Sequence, residues 1–455
     1  MANQENAKSA SDNGKEVKIL DSRSLEQSLE SFIQYGGFDL LEGSIDGIQN
    51  LSPERKARKN IFLTESSKKS ERENLKKVLQ LWSHTLKASD NLIDLVSECS
   101  TKADESEVIL KKNLSLAVAD AKELEENYRT ISLFYKNTEE SKLKNISIIN
   151  AELDQLKDLD NSRFIDNIEE ELVNGFDRLD LRQNYSLLVI PGYLGSNKVI
   201  EKWAKIAYEN KVMLITDFQH LDEADDVMEM FEASNLTGGD TYRSNVMMAC
   251  NWLVGRGKHD EIDEEEDLYL PPSAALAGKV YNTLMSQITA GKKYGGINEV
   301  DGVKFDLKKS EIANLENLGL IPMVNEYGKV MAFSGKTLFS GDNLGLQTYS
   351  VVRVFDYVTK VLMDFLNRRA FENFNAVTKK EILGQIVKFL DNVSGPGKLI
   401  EDFEIKRFEQ DINQKDRIFV DIRLKPYFPA KNFLIKMDGQ KGDDGNDWDT
   451  EYSNV

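Results

Sequence analysis

Three rhythms of hydrophobic and polar positions follow one another along this chain. Between Ser70 and about Leu181 the apolar residues recur at helical spacing, as in Leu75, Val78, Leu79, Trp82 and Leu86, and again in Leu110, Leu114, Val118, Ala121 and Leu124. Such i, i+3, i+4, i+7 patterns predict amphipathic helices. No proline falls between Pro53 and Pro191, which suits long ones. The texture changes at Tyr185-Ser-Leu-Leu-Val-Ile190, an unbroken β-rich run closed by Pro191-Gly-Tyr-Leu-Gly195. A helical stretch through Val199, Trp203, Ile206 and Ala207 leads to a second apolar run, Val212 to Thr216, and Val227 to Ala233 returns as helix. This is a βαβ unit, whose strands read as continuous apolar runs because helices cover the sheet.

The third rhythm begins near Glu311. Leu315 and Leu318 belong to a helix expected to end at Gly319-Leu-Ile-Pro322, and Lys329 to Phe333 reads as a strand. A strong helix runs from Val351 through Val354, Val358, Leu362 and Phe365 to Arg368-Arg369. A second carries Ile382, Leu383, Ile386 and Leu390 and stops at Ser394-Gly-Pro-Gly397. Phe403 to Phe408 and Arg417 to Lys425 then read as strands; in the latter, Ile418, Val420, Ile422 and Leu424 share one face. A final strand, Lys431 to Met437, sets Phe433, Ile435 and Met437 on one face. The fold class is therefore α/β (α+β). Its expected divisions are a disordered segment with a strand and helix arm (1–50), a charged helical region (51–184), a central α/β domain (185–310), a C-terminal α+β domain (311–437) and a disordered acidic tail (438–455).

The chain's ends bear on assembly. Val17-Lys-Ile-Leu20 is an apolar island that reads as a strand, followed by a short helix with Leu25, Leu29, Phe32 and Ile33. A lone strand between polar stretches cannot build a sheet by itself. It must pair elsewhere, and open strand edges are tolerated where assembly is their purpose. Val17, Ile19 and Leu20, with the C-terminal strand residues, are thus candidate inter-subunit positions, although both ends could also pair within one chain.

Composition narrows the rest. The 455 residues suggest about three domains. With 77 acidic against 58 basic residues the net charge is −19, which argues against a dedicated nucleic-acid binder. No run approaches the ~20 apolar residues of a membrane span, the first residues lack a signal peptide's apolar core, and the two cysteines, Cys99 and Cys250, offer no disulfide framework. A cytoplasmic protein is expected. Three histidines, with no CxxC, HExxH, GxSxG or GxxxxGK[ST], advertise no metal, cofactor or catalytic centre. The strongest enzyme hint is Asp217, His220 and Asp222, at the end of the second strand where α/β enzymes place chemistry. Asp222 to Asp226 reads equally well as an acidic first turn of a helix. The turn at Gly192-Tyr-Leu-Gly195 could offer backbone N–H groups to an anion, or be a plain strand-to-helix turn. The acidic run Asp260 to Asp267 reads as a solvated loop, and Pro53 to Lys59 as a basic helix face.

The order Leu315-Glu-Asn-Leu-Gly-Leu-Ile-Pro322, then Val330-Met-Ala-Phe333 with Gly335-Lys-Thr-Leu338, resembles the C-terminal domain of contractile-tail sheath proteins. The arginine-containing helix Tyr349-Ser-Val-Val-Arg-Val-Phe-Asp-Tyr-Val358 and the closing Pro429-Ala-Lys-Asn-Phe-Leu-Ile435 are similar to the family's layout. Over about Tyr185 to Met437 the chain most resembles TssC/VipB, the large sheath subunits of type VI secretion systems, in the divergent form found in Bacteroidota. The resemblance implies a non-enzymatic subunit that pairs with a small TssB/VipA-like partner. The pairs, with other copies of themselves, would stack on a baseplate as a helical sheath around an Hcp-like tube, and a ClpV-type AAA+ unfoldase would dismantle the contracted form. It implies no cofactor, no nucleic acid and no membrane insertion. It also assigns Val17 to Leu20 to a shared N-terminal arm, and Arg417 to Leu424 and Phe433 to Met437 to shared C-terminal strands. Residues 22–35 are a candidate unfoldase contact. Two other readings remain: the sheath of a phage-like extracellular injection particle, or an α/β enzyme using Asp217, His220 and Asp222.

Overall fold

A computed structural model describes residues 61–87, 91–139, 143, 145–182, 184–431, 434–440 and 447–453. The expected strand at Val17–Leu20, the helix after it and the basic segment at Pro53–Lys59 lie outside the described residues. The chain divides into two units, 1–114 and 115–455. The first carries α1 (Lys69–Leu86) and the start of α2 (Leu92–Lys136), a helix of 45 residues. On α2, Leu110, Leu114 and Leu124 of the predicted stripe are 45% to 74% exposed among the described residues. The helical texture also breaks earlier than Leu181 suggests. Residues 145–152 are irregular before a single turn at Leu153–Lys157 and α3 (Arg163–Phe176).

The core of the second unit is a five-stranded sheet. In chain order its architecture is β1 (Leu187–Tyr193), α4 (Asn197–Glu209), β2 (Met213–Asp217), α5 (Ala224–Ser234) and β3 (Val246–Cys250). Then come β4 (Leu253–Arg256), β5 (Leu268–Leu270), α6 (Ser273–Asn282), β6 (Gly302–Val303), α7 (Lys309–Asn317), β7 (Leu320–Glu326) and β8 (Lys329–Ala332). The sheet order is β1-β2-β3-β7-β8, with β1, β2, β3 and β7 parallel and β8 turned back antiparallel on β7. A small antiparallel sheet, β5-β4-β6, stands beside it.

The unbroken apolar strands divide by parity between two cores. Leu214, Val246, Met248, Cys250 and Leu320 face α4 and α5, against Trp203, Ile206, Val227 and Phe231. Their alternates Met213, Ile215, Met247, Ala249 and Ile321 face α6 and the small sheet, against Ala275, Leu276, Val280 and Leu253. Both faces are dry, so an apolar residue at every position is what the sheet requires. At roughly 1.5–3 kcal/mol per fully buried large side chain, this double core is the main stabilising term of the unit.

Two expectations are corrected here. Gly319-Leu-Ile-Pro322 does not simply end a helix: α7 stops at Asn317, Gly319 turns the chain at φ +92°, and Leu320 enters β7. Pro322 is tolerated because it sits at the last rung of the β3–β7 ladder, opposite Cys250, where a missing N–H interrupts nothing. The acidic tail is not wholly irregular. It carries a strand, described below.

A third core joins α8 (Tyr349–Arg368), α9 (Ala376–Val393), β9 (Ile400–Gln410) and β10 (Ile418–Pro426). Val354 and Val358 of α8 meet Ile382, Ile386 and Leu390 of α9, and Ile400 and Phe408 close it from the hairpin. Asn375 starts α9 by accepting from the Val377 and Thr378 amides, an N-cap of the ordinary kind. The chain ends in β11 (Leu434–Gln440) and β12 (Asp447–Ser453).

Candidate assembly surfaces

The alternation in β10 decides what that strand offers. Val420, Ile422 and Leu424 stand opposite Phe408, Ile405 and Phe403 in an antiparallel hairpin, and all six side chains pack on the α8–α9 core. Ile418, at the strand's start, is 38% exposed. The opposite face is polar and tied locally: the Arg407 guanidinium lies 4.0 Å over the Phe419 ring, and Lys425 pairs with Glu401 at 2.7 Å. The predicted apolar face is therefore spent on the chain's own core. What the hairpin presents outward is main chain, because β9 and β10 form a two-stranded sheet and, apart from a bridge between Ser394 and Ile400 at the start of β9, each outer edge is unpaired among the described residues.

β11 differs. Among the described residues it pairs only with β12, in a register that sets Ile435 opposite Tyr452 and Met437 opposite Thr450. Ile435 and Met437 are each 52% exposed, so no described residue covers this apolar pair fully. Phe433 lies outside the described residues. The tail from Asp438, expected to be disordered, contributes the second strand of this hairpin. Its run of acidic residues concealed the alternation of Trp448, Thr450 and Tyr452. Just before the hairpin, Lys431 pairs with the buried Glu316 of α7.

The residues of the enzyme hint do not form one centre. Asp217 is fully buried; its Oδ2 accepts from the Gly192 amide at 2.8 Å and the Ser273 hydroxyl at 2.5 Å, and its Oδ1 accepts from the Ser273 amide at 2.7 Å. Burial pushes its pKa up to about 7, against the downward pull of these three bonds. The carboxyl thus clips the β1 turn to the end of β2 and the start of α6. It also occupies the Gly192 amide that an anion would need. His220 instead stacks on Trp252, with ring centroids 5.0 Å apart, and leans on Tyr269. Burial is the main cause lowering its pKa, with Lys304 adding to it. Asp222 faces outward and pairs with Lys304 at 3.0 Å. In the acidic run, Glu264 is not merely solvated: with Glu125 it brackets the Arg256 guanidinium, at 2.7 and 3.0 Å. Sequence spacing holds no sign of that triad.

Three family models match successive parts of this chain. The TssC/VipB N-terminal region matches residues 25–114, the type VI secretion system TssC/VipB central domain matches 116–340, and the TssC/VipB-like C-terminal domain matches 348–454. The chain belongs to the TssC/VipB family. It is accordingly a structural subunit of a contractile sheath and not an enzyme, and the Asp217, His220 and Asp222 reading is set aside. No curated protein matches it.

Among solved structures, the anti-feeding prophage baseplate contains a similar chain at 16% identity and a TM-score of 0.46, covering 66% of this TssC/VipB chain and 77% of that one. The contracted helical sheath of the same particle gives 17% identity and a TM-score of 0.46, covering 66% and 78%. A sheath tail protein from Desulfitobacterium hafniense gives 12% identity and a TM-score of 0.39, covering 64% and 59%. Among the described residues, no helix of this TssC/VipB chain is long and apolar enough to cross a membrane.

Proposed function

We propose that this chain is the large subunit of a type VI secretion sheath, assembled in the cytoplasm with a TssB/VipA-like small subunit around an Hcp-like tube. The observation that carries the reading is the succession of TssC/VipB matches from residue 25 to residue 454. The two open-edged hairpins support it physically. An added strand at β9 or β10 would gain main-chain hydrogen bonds without disturbing the core beneath, and Ile435 and Met437 would give a strand docking at β11 an apolar grip. Val17 to Leu20 of a neighbouring copy, or a strand of the small subunit, is the proposed donor, with Phe433 adding to the grip.

Contraction on this reading moves the subunit from one packing to another while the paired strands stay paired. The extended packing is held metastable by tube and baseplate, and a ClpV-type unfoldase recycles the spent form. Electron microscopy of the chain co-expressed with its small partner tests the proposal. Long hollow tubes are expected, and they should vanish when residues 1–20 are deleted. Tubes that survive the deletion remove the N-terminal arm from the scheme. Tubes formed with no small partner favour a phage-like injection particle. Compact particles under every condition overturn the proposal.

A further inference from the structure

The start of α8 holds a charge that no carboxylate among the described residues balances. Arg353 is 93% removed from solvent, given its 7% exposure, and its Nη1 has no hydrogen-bond partner. Two hydroxyls in the same neighbourhood share the condition: Ser350 Oγ and Thr289 Oγ1 are buried and unpartnered. Ser350 lies one helical turn before Arg353, on the same face, and Tyr349 lies at i−4 from it. Thr289 is joined to this face because its amide donates to the Tyr349 hydroxyl at 2.6 Å. Among the described residues, no carboxylate acts on the guanidinium; Tyr349 is the titratable group that does. Burial accordingly holds the arginine's pKa below its usual range, at about 10.

A buried guanidinium without a counter-charge is among the costliest arrangements a protein can keep. Water would satisfy the two hydroxyls but would not neutralise the charge. We propose that Arg353, Ser350 and Thr289 form a binding site for a small monovalent anion, either chloride or a single carboxylate. The donor set fits that class: one fork N–H and two O–H groups suit a compact acceptor. The carboxylate could be a free ion or an acidic side chain of a neighbouring subunit. The chemistry is the same, and the experiment separates the two.

The test uses the full chain in the assembly in which it purifies, at constant ionic strength, with sodium chloride or sodium formate replacing sodium gluconate, whose anion is far bulkier than either. A saturating rise in melting temperature on the order of 2 °C is expected for about a tenfold excess over the midpoint. Chloride NMR lines should broaden and sharpen again when formate is added. In Arg353→Met, which removes the charge and keeps the length, both responses should be lost. If that variant does not fold, Arg353→Lys should keep the response with its midpoint moved several-fold upward. A neighbour's carboxylate as the source would make the response strong in the unassembled chain and absent in tubes, with Arg353→Met tubes forming poorly; a free ion would leave the response in both. No chloride or formate response in the unassembled wild-type chain, or an equal response in wild type and variant, overturns the proposal.

Discussion

Asp217 shows how a residue can carry the marks of catalysis and do structural work. It stands at the carboxyl end of a parallel strand, in a βαβ unit, with its pKa raised to about 7. Yet both of its oxygens are already occupied by donors from β1 and α6. Because the folded pKa lies above the ordinary carboxyl value, the folded state keeps this proton while the unfolded chain releases it. Stability from this group is therefore full below about pH 4 and is lost as pH rises to about 7. Asp217→Asn should remove that pH-dependent component and cost about 1–3 kcal/mol of its own, because an amide cannot accept all three bonds. Denaturant unfolding of wild type and variant at several pH values between 4 and 8 measures both, and parallel curves would contradict the assignment. The position of Asp217 was legible in the sequence. Its clip was not, because Ser273 lies 56 residues away and no local pattern signals the contact.

At the scale of elements, legibility followed the simplicity of the environment. The strands buried on both faces and the helices α8 and α9 were readable because each repeats one period against one kind of surroundings. β7 was misread because Pro322 and Gly319 are ordinarily breakers; their cost vanishes only through the ladder's end at Cys250 and the left-handed turn. β12 was missed because alternating acids resemble a solvated tail. The strands β10 and β11 also looked alike in sequence, yet β10 buries apolar side chains of the kind that β11 leaves exposed. That difference makes a prediction. Ile422→Ala, which cuts into the chain's own core, should destabilise the subunit by about 1–3 kcal/mol in denaturant unfolding. Ile435→Asp or Met437→Asp should leave subunit stability within about 0.5 kcal/mol of wild type, as surface changes do. The same two variants should abolish tube formation by electron microscopy. Tubes in normal yield from both Asp variants would mean that the exposed pair is not an interface.

At the scale of the whole molecule, charge sets the terms of assembly. Each copy carries a net −19, so a helical array of copies alone would concentrate like charge along its length. Such repulsion reaches about 30 Å at 10 mM salt and about 8 Å at 0.15 M, so its cost depends strongly on ionic strength. Main-chain pairing at strand edges is short-ranged and nearly indifferent to salt over that interval. If sheath growth rests on strand pairing between acidic subunits, the polymerised fraction should rise with sodium chloride from 10 mM to 0.15 M and then level off. Light scattering or sedimentation of the co-purified subunits follows this directly. If growth rests on attraction between these acidic surfaces and a basic partner, polymerisation should instead fall steadily over the same range. The sign of the slope thus distinguishes a mesh held by backbone edges from one held by opposite charges. Ile435→Asp at matched salt completes the argument: in the first case it removes the tubes at every salt concentration, and in the second it only shifts the curve.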